Sequence, residues 1–294
     1  MLKVKRILIL LLVITGLYIV FNQAYRFDIF GTSSEGNKNG QAAISTDVQV
    51  IKVDVSSVST TIIPEDRIDL KAVYNGKQQL KVSENGDTVA VSVKSKGFNF
   101  FDWTPFTEKS KLTIYIPKDY DRNMTIDLGS GNLHFSGQSK ENPMKLNEVT
   151  IDIGSGNMDF KNLLVKRWSQ DIGSGNVKID SLRTETGTFD LSSGNMDIKH
   201  YMGAMEADVS SGRLNIQMDK LTDSIKIDVS SGNVGLDLPD QADFTLTSDV
   251  SSGNISCDFP LTTKEVSKHS IQGKHGSGKY KIDLDVSSGN VKIH

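Results

Sequence analysis

Cysteine is almost missing from this chain. Cys257 is the only one in 294 residues, which excludes an internal disulfide framework and any multi-cysteine metal site. A long basic stripe is missing too. Lys and Arg number 33 against 36 Asp and Glu, and the first thirty residues hold Lys3, Lys5, Arg6 and Arg26 against Asp28. Taking those away leaves 29 bases and 35 acids, a net charge of −6, which argues against nucleic acid as a partner. No segment after the first thirty residues has helical periodicity, and no Gly-x-Ser-x-Gly elbow occurs among the many Gly-Ser-Gly triplets. His134, His200, His269, His275 and His294 lack metal-ligand spacing. What remains, 37% hydrophobic and 23% charged, is enough to bury one large or two modest cores.

The amino terminus is the one long apolar run. Three bases within Met1–Arg6 precede Ile7–Phe21, which is uncharged and broken only by Thr15, Gly16 and Tyr18. Tyr18, Asn22 and Tyr25 suit an interface and lengthen the run toward the ~20 residues of a membrane helix. Asn22-Gln23-Ala24 matches a cleavage site poorly, so the segment reads as an uncleaved signal anchor. Residues 1–6 are then a cytoplasmic tail, 7–25 a single span, and everything beyond lies outside the cytoplasm by the positive-inside rule. Residues 26–47 read as a flexible linker, rich in Gly, Ser and Asn.

From Met124 onward one phrase recurs eight times: apolar, Asp, apolar, Gly or Ser, Ser, Gly, commonly Asn, then apolar, variable, apolar. Its glycines are Gly131, Gly156, Gly175, Gly194, Gly212, Gly232, Gly253 and Gly289, spaced by 25, 19, 19, 18, 20, 21 and 36. A period near twenty without helical periodicity means strand, turn, strand. Leucine-rich repeats need a Leu-x-x-Leu-x-Leu frame that is absent, so the expectation is all-β: a parallel β-solenoid of about eight coils over 119–294, with an irregular β-rich cap over 48–118. In that cap Asn75-Gly76 and Asn85-Gly86 signal hairpins, while Asp54-Val55-Ser56-Ser57 echoes the repeat without its Gly-Asn, as an irregular first coil or as the amino-terminal cap. Alternation turns the apolar pairs inward and one acid outward in every copy. The repeat glycine is expected to turn the corner with a positive φ.

Stacking creates two columns. Asn132, Asn157, Asn176, Asn195, Asn233, Asn254 and Asn290 line one corner, with Arg213 interrupting; amides there suit hydrogen bonds between coils. Outward-facing Asp127, Asp152, Asp171, Asp190, Asp208, Asp228, Asp249 and Asp285 form the other. Carboxylates ~4.8 Å apart repel by about 1 kcal/mol per pair even in bulk water. Two roles fit: capping the Ser-Gly turn, or presenting a stripe to a divalent cation such as calcium or to a cationic polymer. A second candidate contact is Gly97–Phe106, which gathers Phe98, Phe100, Phe101, Trp103 and Phe106, either as a plug over the open core or as a partner or membrane-interface surface. Asp159 and Asp197 point outward beside the Asp column, a carboxylate pair of the kind that acts as acid and base in polysaccharide cleavage. Gly273–Tyr280 nearly spells a phosphate loop, but Tyr280 replaces the magnesium-ligand hydroxyl and a strand follows where a helix is required.

Lys111-Leu112-Thr113-Ile114-Tyr115-Ile116-Pro117, followed by Ile126–Asn132 and its copies as far as Asn290–Ile293, resembles the bacterial "putative adhesin" family, a domain of unknown function, over residues 46 to 294. With the anchor in front, the chain looks most like its LiaG-like, membrane-anchored members linked to envelope stress. The resemblance implies a β-helical fold and adhesion; it carries over no catalytic residue and no cofactor. The function expected is a non-enzymatic, membrane-anchored binding module of the cell envelope, whose partner is an envelope polymer or a membrane protein. The alternative is an envelope-stress accessory protein acting through a membrane partner.

Overall fold

The computed structural model describes residues 38–94, 110–267 and 269–294, where every regular element is a strand. The expected anchor lies outside them, and among the described residues no helix is long and apolar enough to cross a membrane. The first strands are β1 (Asn39–Ala43), β2 (Val50–Ser57), β3 (Ser59–Glu65), β4 (Asp69–Asn75), β5 (Gln79–Asn85), β6 (Thr88–Lys94) and β7 (Lys111–Pro117). The repeats form β8 (Asn123–Ser136), β9 (Met144–Leu191), β10 (Asn195–Val209), β11 (Arg213–Met218), β12 (Ile225–Val229) and β13 (Asn233–Asp237). Then come β14 (Phe244–Val250), β15 (Asn254–Cys257), β16 (Thr262–Val266), β17 (Ser270–His275), β18 (Tyr280–Val286) and β19 (Asn290–Ile293).

Alternation does what the sequence asks of it. Ile126, Leu128, Ile151, Ile153, Phe189 and Leu191 are buried, and the Asp between each pair faces outward. Each coil lays this face in parallel register on the next: β8 on β9, the last pass of β9 on β10, and β10 on β12. The second face, beginning at the Asn corner, stacks likewise through β10, β11 and β13. A further corner has Asn162, Ser181 and His200 at φ 54°, 66° and 56°, positions 19 residues apart. A left-handed column without glycine carries no obvious signature in sequence.

Four expectations are corrected. First, residues 50–65 are a full coil: β2 aligns with β8, placing Asp54 opposite Asp127, and β3 aligns with Leu133–Phe135. β6 and β7 lie outside that coil, also in parallel register. Second, the linker is shorter than 26–47, because β1 pairs antiparallel with β4. Third, the coils do not stack in chain order: β18 lies between β12 and β14, and β19 between β13 and β15. The 36-residue spacing before Gly289 contains β16 and β17, which run antiparallel beyond β14 and cover its edge. Fourth, among the repeat glycines only Gly131 and Gly156 have positive φ. The others are required by close approach, since a Cβ on Gly194 would lie 2.5 Å from the carbonyl oxygen of Gly175 in the coil below.

Candidate binding face

The Asp column is continuous and longer than the repeats. Registers place Asp54, Asp127 and Asp152 side by side, and likewise Asp190, Asp208, Asp228, Asp285 and Asp249. Asp171, on the middle pass of β9, sits close enough to act on Asp190. Beyond Asp54 the column ends in Ser92 and Lys81, and beyond Asp249 in Ser270. Two residues earlier on each strand a second outward column runs beside it. Its members include Thr125, Thr150, Thr188 and Thr247, interrupted by Lys52, Glu206, Lys226 and Asp283. Hydroxyls and carboxylates thus stand in parallel rows about 4.8 Å apart along the stack, and alternation in the sequence had pointed only to the acids.

Burial and neighbouring carboxylates make Asp127 and Asp190 harder to ionise. Desolvation first, then Asp54 and Asp152, raise the pKa of Asp127; desolvation, then Asp208 and Asp171, raise that of Asp190. Lys226 relieves one stretch by reaching Asp228 at 2.9 Å and Glu206 at 3.0 Å, and those two carboxylates raise its own pKa. For Asp127 and Asp190 the folded state holds its proton more tightly than the unfolded chain. Their contribution to stability therefore grows as pH falls through the raised folded value toward the ordinary 3.8. Asp190→Asn is accordingly expected to raise the melting temperature at pH 7 by roughly 1–3 °C, with the gain disappearing near pH 4; a melting temperature lowered at both pH values would contradict uncompensated repulsion.

Among the described residues the Ser-Gly turns are closed by backbone bonds. Corner amides donate to carbonyls of the neighbouring coil, Ser192 to Ile172 at 2.9 Å and Ser193 to Gly173 at 3.0 Å, with the same pattern at Ser210, Ser230, Ser287 and Ser251. There is no metal cage: among the described residues no group of three His, Cys, Asp or Glu side chains is placed to hold one ion. The Asn corner behaves as a ladder. Asn157 donates to Asn132 and Asn176 to Asn157, each at 3.1 Å, and Asn195 to Asn176 at 3.0 Å. Arg213 breaks the run, which resumes where Asn290 donates to Asn233 at 3.0 Å.

The acid pair Asp159 and Asp197 is not adjacent. Lys178 aligns with Asp197, and the Asn157–Asn176 bond continues that register one coil down, so Lys178 separates the two. Asp159 is held by Lys161 at 2.9 Å and His134 at 3.2 Å. A cluster with no motif in the sequence gathers on the left-handed corner: His200 Nδ1 lies 2.7 Å from Asp219 and its Nε2 lies 3.9 Å from Asp180. The partner-contact candidates Phe98, Phe100, Phe101, Trp103 and Phe106 lie outside the described residues. Among the described residues Phe244, Phe259 and His275 pack ring against ring, with centroids 4.9 to 5.6 Å apart.

The near-phosphate loop has an occupant of its own. Gly276 and Gly278 take φ 68° and 80°, and the Asp243 carboxylate accepts from Ser277 Oγ and the Gly278 amide at 2.6 Å and from the Lys279 amide at 2.9 Å. The glycines shape an anion nest, filled from within the chain. These bonds, Ser277 foremost, lower the Asp243 pKa. The latch is therefore intact above the ordinary carboxylate value of 3.8 and opens as pH falls through the lowered one. In Asp243→Asn the amides of Gly278 and Lys279 are expected to exchange hydrogen faster at neutral pH; unchanged protection would mean the turn holds itself.

No curated protein matches the chain. Three solved structures resemble it. A "putative adhesin" from Bacteroides fragilis NCTC 9343 is 15% identical, with TM-score 0.47, over 87% of this chain and 96% of its own. A "putative lipid binding protein" from Parabacteroides distasonis ATCC 8503 is 13% identical, with TM-score 0.43, over 88% and 98%. A "putative cell adhesion protein" from Clostridium sporogenes ATCC 15579 is 10% identical, with TM-score 0.27, over 87% and 98%. The family model that matches, across residues 48–294, is Toastrack DUF4097.

Proposed function

The chain belongs to the Toastrack DUF4097 family, and from that premise we propose that it is a membrane-anchored, extracytoplasmic binding module of the bacterial cell envelope. The observation that carries this reading is the in-register row of carboxylates repeated coil after coil on an outward sheet face, flanked at Thr125, Thr150, Thr188 and Thr247 by hydroxyls. A periodic ligand is matched by a periodic surface: many weak contacts add once the first is made. Binding rather than catalysis is favoured by the interposed Lys178 and the ion-paired Asp159, because acid–base work needs two carboxyls with an open space between them. No resident cofactor enters this reading; calcium acts only by screening the Asp column. Nucleic acid is disfavoured by the same acids.

One observation favours envelope-stress signalling, in the manner of LiaG-like members, through a membrane protein. β6 and β7, which flank the aromatic segment, lie at the same end of the stack as β1, which follows the linker. Capture from its own envelope by the full-length anchored chain separates the two readings. Wall polymer recovered with the wild type and reduced in Asp171→Asn/Asp190→Asn supports the face. A membrane protein recovered instead, and lost in Phe100→Ala/Trp103→Ala, supports the second reading and overturns the first.

A further inference from the structure

The outward rows are not uniformly flat. One residue ahead of the inward pair Met205 and Ile225, the register sets Ala204 beside Thr186 on one side and Ser224 on the other, with Lys281 next. Two small side chains thus stand between two taller ones, and a groove of about 340 Å³ opens over them. Its second wall is the neighbouring column, Thr188, Glu206, Lys226 and Asp283. Buried Met205 and Ile225 lie beneath it.

We infer that this groove binds a neutral, polyhydroxylated ring, one or two sugar units of a glycan, as a local subsite of the binding face; the inference rests on the surface-binding reading above. Charge is the first argument. The groove holds two ammonium and two carboxylate groups, and they are paired within the chain, Lys226 with Glu206 at 3.0 Å and Lys281 with Asp283 at 2.7 Å. A charged ligand would have to break a pair, whereas a neutral one uses the lone pairs and N–H bonds the pairs leave over. The hydroxyls of Thr186, Thr188 and Ser224 add groups able both to donate and to accept, which matches sugar hydroxyls. The Ala204 methyl gives an apolar floor for the C–H face of a ring. The volume lies at the lower end of small-ligand sites, right for a ring or two and too small for a folded partner.

The groove can be filled without touching any of the paired charges. Ala204→Trp, from a half-buried strand position, and Ser224→Tyr, from the exposed residue just before β12, place a large side chain on it, and an unchanged melting temperature shows that the stack is intact. The probes are glucose, N-acetylglucosamine, and their β-1,4-linked disaccharides, titrated into the full-length protein in detergent micelles and followed by saturation-transfer NMR. The expected result is saturable transfer to at least one sugar, weakened about tenfold or more by both filled variants and unaltered in Asp127→Asn. No transfer from any sugar, or transfer equal in the filled variants, overturns the subsite. Capture of wall polymer distinguishes the two levels. Polymer retained by the filled variants while no sugar binds refutes the groove and leaves the face standing; polymer captured by neither protein refutes the face and the groove with it.

Discussion

Gly194→Ala is expected to destabilise the domain by about 3 kcal/mol, a fall in melting temperature of roughly 6–12 °C, although alanine is the mildest replacement a glycine can receive. The added Cβ would stand 2.5 Å from the Gly175 carbonyl oxygen and 3.0 Å from its amide nitrogen. Neither atom belongs to a flexible side chain, so the coils themselves must part. Parting them loosens the bond from the Arg213 amide to the Gly194 carbonyl, 3.0 Å, and those at Ser192 and Ser193 beside it, each worth about 1 kcal/mol. Gly194→Val should cost more. Gly86 supplies the control: its φ is +59° and nothing lies within 4 Å of an added Cβ, so Gly86→Ala should cost only about 1 kcal/mol of backbone strain. Equal losses at the two positions, read by thermal unfolding, would mean that close stacking of the coils does not select the repeat glycine.

The same corner shows what the sequence could and could not disclose. Strand, turn and inward phasing follow from period two and from a recurring phrase, and they hold at Ile126, Leu128, Leu214 and Ile216 alike. That a glycine is needed was equally plain; the reason was not, because the atom that forbids a Cβ belongs to a glycine in another coil. Strand β1 was hidden because Asn39-Gly40-Gln41-Ala42-Ala43 has little β propensity and is ordered by the edge of β4. Asp54 gave only an echo, since its coil lacks the Gly-Asn pair. The groove depends on Ala204 and Ser224 becoming neighbours across coils of unequal length, which no single-strand pattern expresses. Coil order was hidden for a different reason. Val229–Asn233, Val250–Asn254 and Val286–Asn290 carry the same five residues, Val-Ser-Ser-Gly-Asn, so each can pair with either of the others and local pattern cannot rank the alternatives.

Removing residues 279–294 should therefore do far more than shorten the stack by one coil. β18 and β19 place Ile282, Leu284, Val286, Val291 and Ile293 in the core, none more than 2% exposed. At about 1.5–3 kcal/mol for each buried aliphatic side chain, that burial rivals the whole 5–15 kcal/mol by which domains are stable. The deletion also leaves β12 and β14 unpaired toward each other, because β18 is their common neighbour, and it takes away the Lys279 amide, one of the three donors that hold Asp243. Residues from 244 onward are expected to become sensitive to protease and to lose amide protection, with loss of near-ultraviolet signal from Phe244 and Phe259. Early coils, closed at their own end by β6 and β7 around the inserted β2–β3 coil, should retain protection longer. Were the final coil a simple terminal addition, the truncated chain would keep a protected β14 and lose only a small part of its unfolding enthalpy. A third result is also informative: β14 could close directly on β12, since the two carry matching phrases. Protection of β14 would then return in the truncated protein with Asp249 beside Asp228, and a cross-link between cysteines placed at those two positions, separated in the full chain by Asp285, would form only after truncation.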